Sequence, residues 1–408
     1  MSSTPTPTDA PPAATFSFRG IAIPAFGPTL LFGCGEGAIL PVIPQMVRDL
    51  GGSVPVAALV ITLIGFGSLA NNIPASMITM RWGERGAIVA AGLWSALGML
   101  LCLLTANLWL FGAGCFMVGM SQAVYNLARQ SYLTEAVPVI YRARALSTLG
   151  GMMRIGMFIG PFVAAAAVHA YGISAAFVVG IVGVVLAASI GARIPDLPHS
   201  KAGPVAAGQP PVSLVSTFQA HRHIYLTLGF GVMLVSAVRA SRQAVIPLWA
   251  DHLMLAPAVA SMIYGISGGV EMLLFYPAGK VMDVKGRRWV AIPAMLFMGI
   301  GMLVMPMTTG AITLLLTSVA IGIGNGIGSG MNMTLGADHA PSHGRAYFLG
   351  VWRFMSDIGS LLGPALLSWL ATLSLAAGVV STGLLALLAG GLLAKWIPRK
   401  GERGNYAR

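Results

Sequence analysis

The sequence has very little charge for its length. Only 9% of its 408 residues are Asp, Glu, Lys or Arg, whereas 56% are hydrophobic. A soluble domain covers its surface with far more charge than this. The composition therefore excludes an ordinary soluble protein and predicts a chain that crosses a membrane many times.

Cysteine is also scarce. Cys34, Cys102 and Cys115 all fall within apolar runs, so the sequence predicts neither a disulfide framework nor a metal site. The Pro/Thr/Ala-rich start of the chain lacks the basic region of a signal peptide. We expect residues 1–20 to form a disordered cytoplasmic tail.

Crossing a bilayer takes about 20 mostly apolar residues in a helix, and twelve segments meet this requirement. We number them spans 1 to 12, at residues 22–44, 54–79, 87–105, 108–133, 145–168, 174–193, 224–248, 257–281, 289–306, 311–336, 346–370 and 373–396. The predicted fold is an all-α membrane protein with a first six-helix bundle at residues 21–193 and a second at 223–397. A polar, Pro-rich cytoplasmic linker at 194–222 separates them, and residues 398–408 form a cytoplasmic tail.

The two bundles are copies of one unit. An offset of 203 residues carries Pro74 onto Pro277, Gly83 onto Gly286 and the Gly160-Pro161 pair onto Gly363-Pro364. One offset that holds over so many Gly and Pro positions, at half the chain length, indicates a duplication.

Basic residues fall on one side of the predicted spans. If both termini are cytoplasmic, cytoplasmic segments hold 18 of the 24 Lys and Arg residues, and the opposite loops hold only Arg48. Cytoplasmic loops of membrane proteins carry such an excess. We therefore expect a multi-pass protein with both termini in the cytoplasm.

A basic turn follows span 8 and has the pattern Gly-x3-Asp-x2-Gly-Arg-Arg, formed by Gly279, Asp283, Gly286, Arg287 and Arg288. With six plus six spans and a basic linker, this turn resembles that of the major facilitator superfamily of secondary transporters. The resemblance covers nearly the whole chain, and it implies a bacterial inner-membrane location and a monomer. In that family the turn latches the two halves on the cytoplasmic side.

The copy of this turn after span 2 departs from the pattern. Ser76 and Met80 replace its first Gly and its Asp, while Arg81 and Arg85 supply the cations. We therefore expect the latch to depend on Asp283. The alternative is that the cations only fix the orientation in the membrane, but this explains neither Asp283 nor the glycines.

Span 5 contains Gly156-x3-Gly160-Pro161, which resembles the motif of the family's proton-driven exporters. The same spacing also permits close helix packing in any member of the family. The Arg that exporters carry in span 4 is Cys115 here. Both interpretations of the motif therefore stay open.

Another glycine run, Gly322–Gly330, has no preceding strand and no Lys-Ser/Thr after it, which excludes a phosphate-binding loop. We interpret it as one smooth helix face in span 10, with a flexible gate as the alternative. The sequence contains no hydrolase, kinase, metal, cofactor or nucleic-acid signature, so we do not expect an enzyme.

Charges within a span cost roughly 3 kcal/mol or more and usually have a function. They are Glu36, Arg154, Arg239, Arg242, Glu271, Arg353 and Asp357. Arg129 lies nearer the cytoplasmic end of span 4, where its side chain is expected to extend to the surface. The offset of 203 places Glu36 on Arg239, and Arg154 on Asp357, with opposite charges at equal depth.

By the family resemblance, Glu36, Arg239 and Arg242 face a central cavity. Arg154 is expected to pair with Glu271 where spans 5 and 8 meet. Arg353 and Asp357 are four residues apart in span 11, so we expect a second buried pair there.

Glu36 is the first candidate for carrying a proton, followed by Glu271 and Asp357, because burial in an apolar cavity penalises the charged form of a carboxylate. Alternatively, Glu36 pairs structurally with Arg239 or Arg242. The polar residues expected to complete a substrate site are Gln122, Tyr125, Asn126, Gln243, Asn325 and Asn332.

Together these features predict proton-coupled transport by alternating access, most simply export of small amphipathic or toxic compounds in exchange for protons. The surplus of arginines leaves a small organic anion as a second substrate class. A receptor or scaffold that does not transport is the third alternative. Members of that kind often lose the buried charges or the turn, and both are present here.

The predicted orientation can be tested by labelling. In a background without native cysteines, single cysteines at Lys285 and Lys201 should react with an impermeant reagent only after the cells are opened. A cysteine at Asp251 should react from outside. Labelling of the Lys285 position in intact cells would contradict the orientation.

Overall fold

The structure is a computed structural model that describes residues 26–194, 213–255 and 257–398. Nearly all of these residues are helical, and no strand occurs among them. The predicted tail at 1–20, most of the linker (including Lys201) and nearly all of the C-terminal tail lie outside the described residues.

The first six spans lie in helices Gly27–Ile39 with its extension Ile43–Asp49, Val54–Leu104, Leu108–Ala136, Arg142–Tyr171 and Ala175–Gly191. Val54–Leu104 contains both span 2 and span 3. It is interrupted at Gly83, whose φ of 73° lies in the left-handed region that favours glycine. Gly286, its partner in the repeat, has a φ of 102° at the turn between spans 8 and 9. The duplicated glycines are therefore explained by the two sharp turns.

The second six spans lie in helices Phe230–His252, Pro257–Val284, Arg288–Val304, Ala311–Ile327 with Met331–His339, Arg345–Ala371 and Leu375–Trp396. A further helix, Leu214–Ile224, falls within the predicted linker and joins span 7 through a π-helical turn, Tyr225–Gly229. Nine helices of the described chain are long and apolar enough to cross a membrane. Val54–Leu104 is one of these nine, although it contains both span 2 and span 3. The nine helices therefore hold ten spans, and Ala175–Gly191 and Pro257–Val284 supply the other two.

Span 10 is not the continuous helix that the glycine pattern predicts. It is broken at Gly328–Gly330, and Gly330 is left-handed with φ 74°. Before the break the predicted face is confirmed, since Gly322 packs on Ser267 and Gly326 on Glu271 of span 8. The run therefore combines a packing face with a break, because successive glycines oppose helix continuation.

Close backbone packing in each half depends on paired glycines. Gly156 and Gly160 of span 5 lie against the backbone of span 1, while Gly33 and Gly37 of span 1 lie against span 5. In the second half Gly359 and Gly363 lie against the backbone of span 7. The packing interpretation of the Gly-x3-Gly-Pro motif is thereby confirmed, because a side chain at these positions would separate the helices.

Gly160→Leu should lower the free energy of unfolding by about 1–3 kcal/mol, the usual cost of overpacking. A Cβ at this position would lie 2.8 Å from the Ala38 nitrogen. The matched control is Gly391→Leu, because Gly391 is exposed and a Cβ there meets no atom within 4 Å. Thermal unfolding of the purified proteins in detergent measures the difference, and equal melting temperatures would contradict this account of the motif.

Candidate functional site

A cavity of about 910 Å³ lies at mid-span between the two halves. We call the end of the molecule where Ile194 and Ser213 flank the linker the linker side, and the opposite end the far side. The cavity walls include Gly65, Tyr264 and Pro364. These residues are about 27 to 30 Å from the linker-side ends of their helices, at 1.5 Å of rise per residue. The cavity therefore extends toward the far side.

Five arginines and two carboxylates line this cavity. They are Arg129, Arg154, Arg239, Arg242, Arg353, Glu271 and Asp357. The expectation that Arg129 extends to the surface is wrong, since it is only 4% exposed. Its guanidinium donates to the Asn126 amide and lies 5.2 Å from the centre of the Tyr125 ring. These contacts hold Arg129 inside, two turns before span 4 ends at Ala136.

The predicted ion pair between Arg154 and Glu271 forms, and a third residue joins it. Arg154 contacts one oxygen of Glu271, and Arg242 Nη2 lies 2.9 Å from the other. Arg154 comes from the first half, and the other two residues come from the second. This group crosses the seam between the halves, where neither the carboxylate nor Arg242 is more than 9% exposed.

Arg239 and Glu36 have separate partners, so the hypothesis that Glu36 pairs with Arg239 or Arg242 is wrong. Arg239 Nη1 donates to the Gly328 carbonyl oxygen at 3.1 Å, at the break in span 10, where this oxygen also accepts from the Met331 nitrogen at 3.2 Å. Glu36 Oε2 accepts from Gln122 Nε2 at 3.0 Å. Equal depth in the repeat does not make two residues neighbours, because the repeat places them in different halves.

Glu36 lies just behind the cavity wall. It is 4% exposed, and its Oε1 has no hydrogen-bond partner in the described structure. Gln122 lines the cavity, whereas neither Glu36 nor Tyr125 is among the described wall residues. Tyr125 stacks on Phe32 with ring centroids 3.8 Å apart. The expected place of Glu36 and Tyr125 in the substrate surface is therefore corrected, because Gln122 lies between Glu36 and the cavity and Tyr125 packs on Phe32 of span 1.

Asp357 bonds across the seam instead of to Arg353. Its Oδ2 accepts from Asn72 Nδ2 at 2.7 Å and from Ser68 Oγ at 3.4 Å. The expected ion pair with Arg353 is absent between these two described side chains. The offset of 203 carries Ser68 onto Glu271 and Arg154 onto Asp357. The two mid-span contacts of the seam are therefore copies of each other that carry different residues.

The remaining predicted polar residues do face the cavity: Gln122, Asn126, Gln243, Asn325 and Asn332. Asn332 Nδ2 donates to Ser236 Oγ at 3.0 Å, which joins span 10 to span 7. The Oδ1 atoms of Asn325 and Asn332 have no hydrogen-bond partner in the described structure. These amides are thus available to a ligand or to water.

Asp283 joins the halves on the linker side. Its two carboxylate oxygens accept from the backbone nitrogens of Ala143 and Arg144, each at 3.0 Å. These nitrogens belong to the first turn of span 5, where a helix end attracts an anion. Gly279 lets the helices approach, since a Cβ there would lie 2.7 Å from the Arg144 Cα. The contact that the sequence assigned to Asp283 is therefore present.

Of the cations expected beside Asp283, only Arg287 forms ion pairs among the described residues. Arg287 binds Asp338 through two nitrogens, at 2.7 and 3.1 Å, and lies 3.5 Å from Asp283. Arg81 and Arg85 are exposed and make no ion pair within the described residues, and the same holds for the partly exposed Arg288. The first-half turn thus adds no ion pair of its cations to the latch among the described residues, although its Ser76 packs on Gly350 of span 11.

Two further ion pairs of the latch escaped the sequence analysis. Arg345 Nη1 lies 2.5 Å from Glu135 Oε2, and Arg142 Nη1 lies 3.9 Å from Asp338 Oδ1. The offset of 203 carries Glu135 onto Asp338 and Arg142 onto Arg345, so the two pairs are copies. The same offset applied to the acids would have found them. Together with Asp283, they close the linker side.

The chain matches the sequence profile of the Major Facilitator Superfamily over residues 26–240 and 228–407, and it belongs to that family. The class C tetracycline resistance protein of Escherichia coli is 25% identical over 38% of this chain. The class H protein of Pasteurella multocida is 25% identical over 33% of it. The matches span 41% and 34% of these relatives, so the chain covers only about two fifths or less of their length.

Solved structures share the fold over almost their whole length. The human organic anion transporter MFSD10 (TETRAN) superposes with a TM-score of 0.78 at 14% identity, covering 92% of this chain and 99% of that one. The Escherichia coli fucose:proton symporter FucP gives 0.77 at 14% identity, covering 94% and 99%. Together with the family profile, these structures show that the protein has the major facilitator fold.

Asp283→Asn should weaken the linker-side latch and shift the population toward a state that is open on that side. The matched control is Asp251→Asn, an exposed acid on the far side. Spin labels at the exposed positions Arg81 and Ser342, one in each half, should move apart, while labels at Leu104 and Met307 should approach. An unchanged distance distribution would show that Asp283 does not hold the latch.

Proposed function

We propose that this protein is a proton-coupled secondary transporter that works by alternating access and exports small amphipathic or toxic compounds. The observation that carries the proposal is a large polar cavity between two repeated halves, sealed on one side and extended toward the other. Rocking of the halves about such a mid-membrane site exposes it to each side in turn. The substrate is a small molecule, and we propose that one chain is sufficient.

The orientation and the relatives favour export. The cations of the loops favour a cytoplasmic linker side, which makes the present conformation outward-facing. Two relatives, although matched over only part of their length, are named as tetracycline resistance proteins. Their names support export of a compound that is toxic to a bacterium, with the inner membrane as the location.

Glu36 is the proposed proton carrier. It is nearly fully buried, accepts a single hydrogen bond from Gln122, and has one carboxylate oxygen without a partner in the described structure. Burial of a carboxylate with so little compensation favours its protonated form. Gln122 reaches from Glu36 to the cavity, so a ligand that draws Gln122 away changes the surroundings of the carboxylate.

A small organic anion is the second candidate substrate, with export or uptake as its direction. The cavity wall carries five arginines against two carboxylates, and this surplus favours a negatively charged ligand. A receptor or scaffold without transport activity is less favoured, since it needs neither an open cavity of this size nor a latch on one side.

Glu36→Gln should abolish proton-coupled transport and leave the melting temperature nearly unchanged, because Gln can still bond to Gln122 but cannot release a proton. Everted vesicles carrying a pH gradient would be given tetracycline, ethidium or benzoate. A transported compound should dissipate the gradient in the wild type and in the control Glu84→Gln, but not in Glu36→Gln.

Glu84 is a suitable control because it is equally buried, in the same half, and accepts from Ser131 away from the cavity. Full gradient-driven transport in a stable Glu36→Gln protein would eliminate the proton role of Glu36. The same substitution would then be made at Glu271. Dissipation by none of the compounds in wild-type vesicles would count against proton-coupled export.

A further inference from the structure

Three of the five cavity arginines lie near one carboxylate. Arg154 and Arg242 bind Glu271, Arg239 lies close enough to feel its charge, and we call these four residues the Glu271 cluster. All four side chains line the cavity. The cluster therefore carries a surplus of two positive charges at the place where a substrate would bind.

Two nitrogen donors of Arg242 have no partner in the described structure. Arg242 is 5% exposed, and Nη2 binds Glu271, but neither Nε nor Nη1 has a hydrogen-bond partner in the described structure. A guanidinium is always charged, and a buried donor without a partner destabilises the empty site. A ligand oxygen that enters the cavity can remove this penalty.

The side chain that now lies between Arg154 and Arg242 indicates which ligand group fits there. The carboxylate of Glu271 binds Arg154 with one oxygen and Arg242 with the other, so it bridges the first half to the second. The space between these two guanidiniums is therefore shaped for a planar carboxylate. Arg239, held by the Gly328 carbonyl, adds a third charge beside it.

We infer that the substrate carries a carboxylate, which binds the Glu271 cluster and competes with Glu271 for Arg154 and Arg242. This inference rests on the proposed function and narrows its substrate class. Glu271 acts as an internal substitute for the substrate: it neutralises part of the cluster in the empty site and bridges the seam there. A substrate carboxylate takes over the same bridge, so loading the site keeps the halves joined.

Binding to the purified protein tests the competition. The probes are benzoate and octanoate, each compared with its uncharged amide, in calorimetric titrations in detergent. Both carboxylates should bind more tightly than their amides. Glu271→Gln removes the competitor and should strengthen carboxylate binding roughly tenfold, while Arg242→Lys keeps the charge but loses the fork and should weaken it roughly tenfold.

Asp357→Asn is the matched control, because it removes the other carboxylate of the same cavity wall. Competition at the cluster predicts a much smaller gain for this variant than for Glu271→Gln. Equal gains would show that only the overall charge of the cavity matters, and would overturn the inference. So would carboxylates that bind no better than their amides. If Glu271→Gln fails to fold, the Arg242→Lys result decides.

These titrations separate the inference from the proposed function. They require no proton gradient and no direction of transport. Proton-coupled transport of ethidium together with a loss of carboxylate preference would refute the inference alone. Tight carboxylate binding without proton coupling would refute only the proposed function.

Discussion

A charge at mid-membrane must be paired, hydrogen-bonded or placed beside water, because lipid tails supply neither hydrogen bonds nor an opposite charge. This constraint organises the seam between the halves. Arg154, Glu271 and Asp357 bind partners across it, and Arg239 binds a backbone oxygen at the break in span 10. The charges that the pairs leave over surround a cavity, where water or a ligand can reach them. The free-energy cost of burying charge is thus confined to the interface along which the two halves have to move.

The duplication places equivalent contacts at equivalent positions along the seam between the halves. The residues at these positions differ between the two copies, and this difference sets the charges at each contact. On the linker side the two copies still match, since Glu135 with Arg345 repeats as Asp338 with Arg142. At mid-span they have diverged, since Arg154 with Glu271 is the copy of Asp357 with Ser68. Gln130 donates to the Met333 carbonyl oxygen, its own counterpart 203 residues away, close to the axis that relates the halves. A symmetric frame therefore holds an asymmetric set of charges.

The sequence predicted the fold well, because spans, turn glycines and the offset are local or periodic signals. The Arg154–Glu271 pair and the role of Asp283 in joining the halves were also predicted, because the resemblance to the family implies both. Prediction from the sequence failed for Arg129, Glu36 and Arg353, whose partners depend on which side chain of a neighbouring helix stands in front. It also failed for the break at Gly328–Gly330, because glycines that favour close packing and glycines that end a helix look alike in a sequence.

The different residues at the two mid-span contacts determine how charge is distributed around the cavity. On the side of spans 2 and 11, Asp357 is held by Asn72 and Ser68, so its negative charge is spread over neutral donors. On the side of spans 5, 7 and 8, the carboxylate of Glu271 is shared by the guanidiniums of Arg154 and Arg242. The first contact is therefore net negative and the second net positive. Arg239, which lines the same cavity beside the second contact, adds a further positive charge, so the positive charge of the cavity is concentrated on the side of spans 5, 7 and 8.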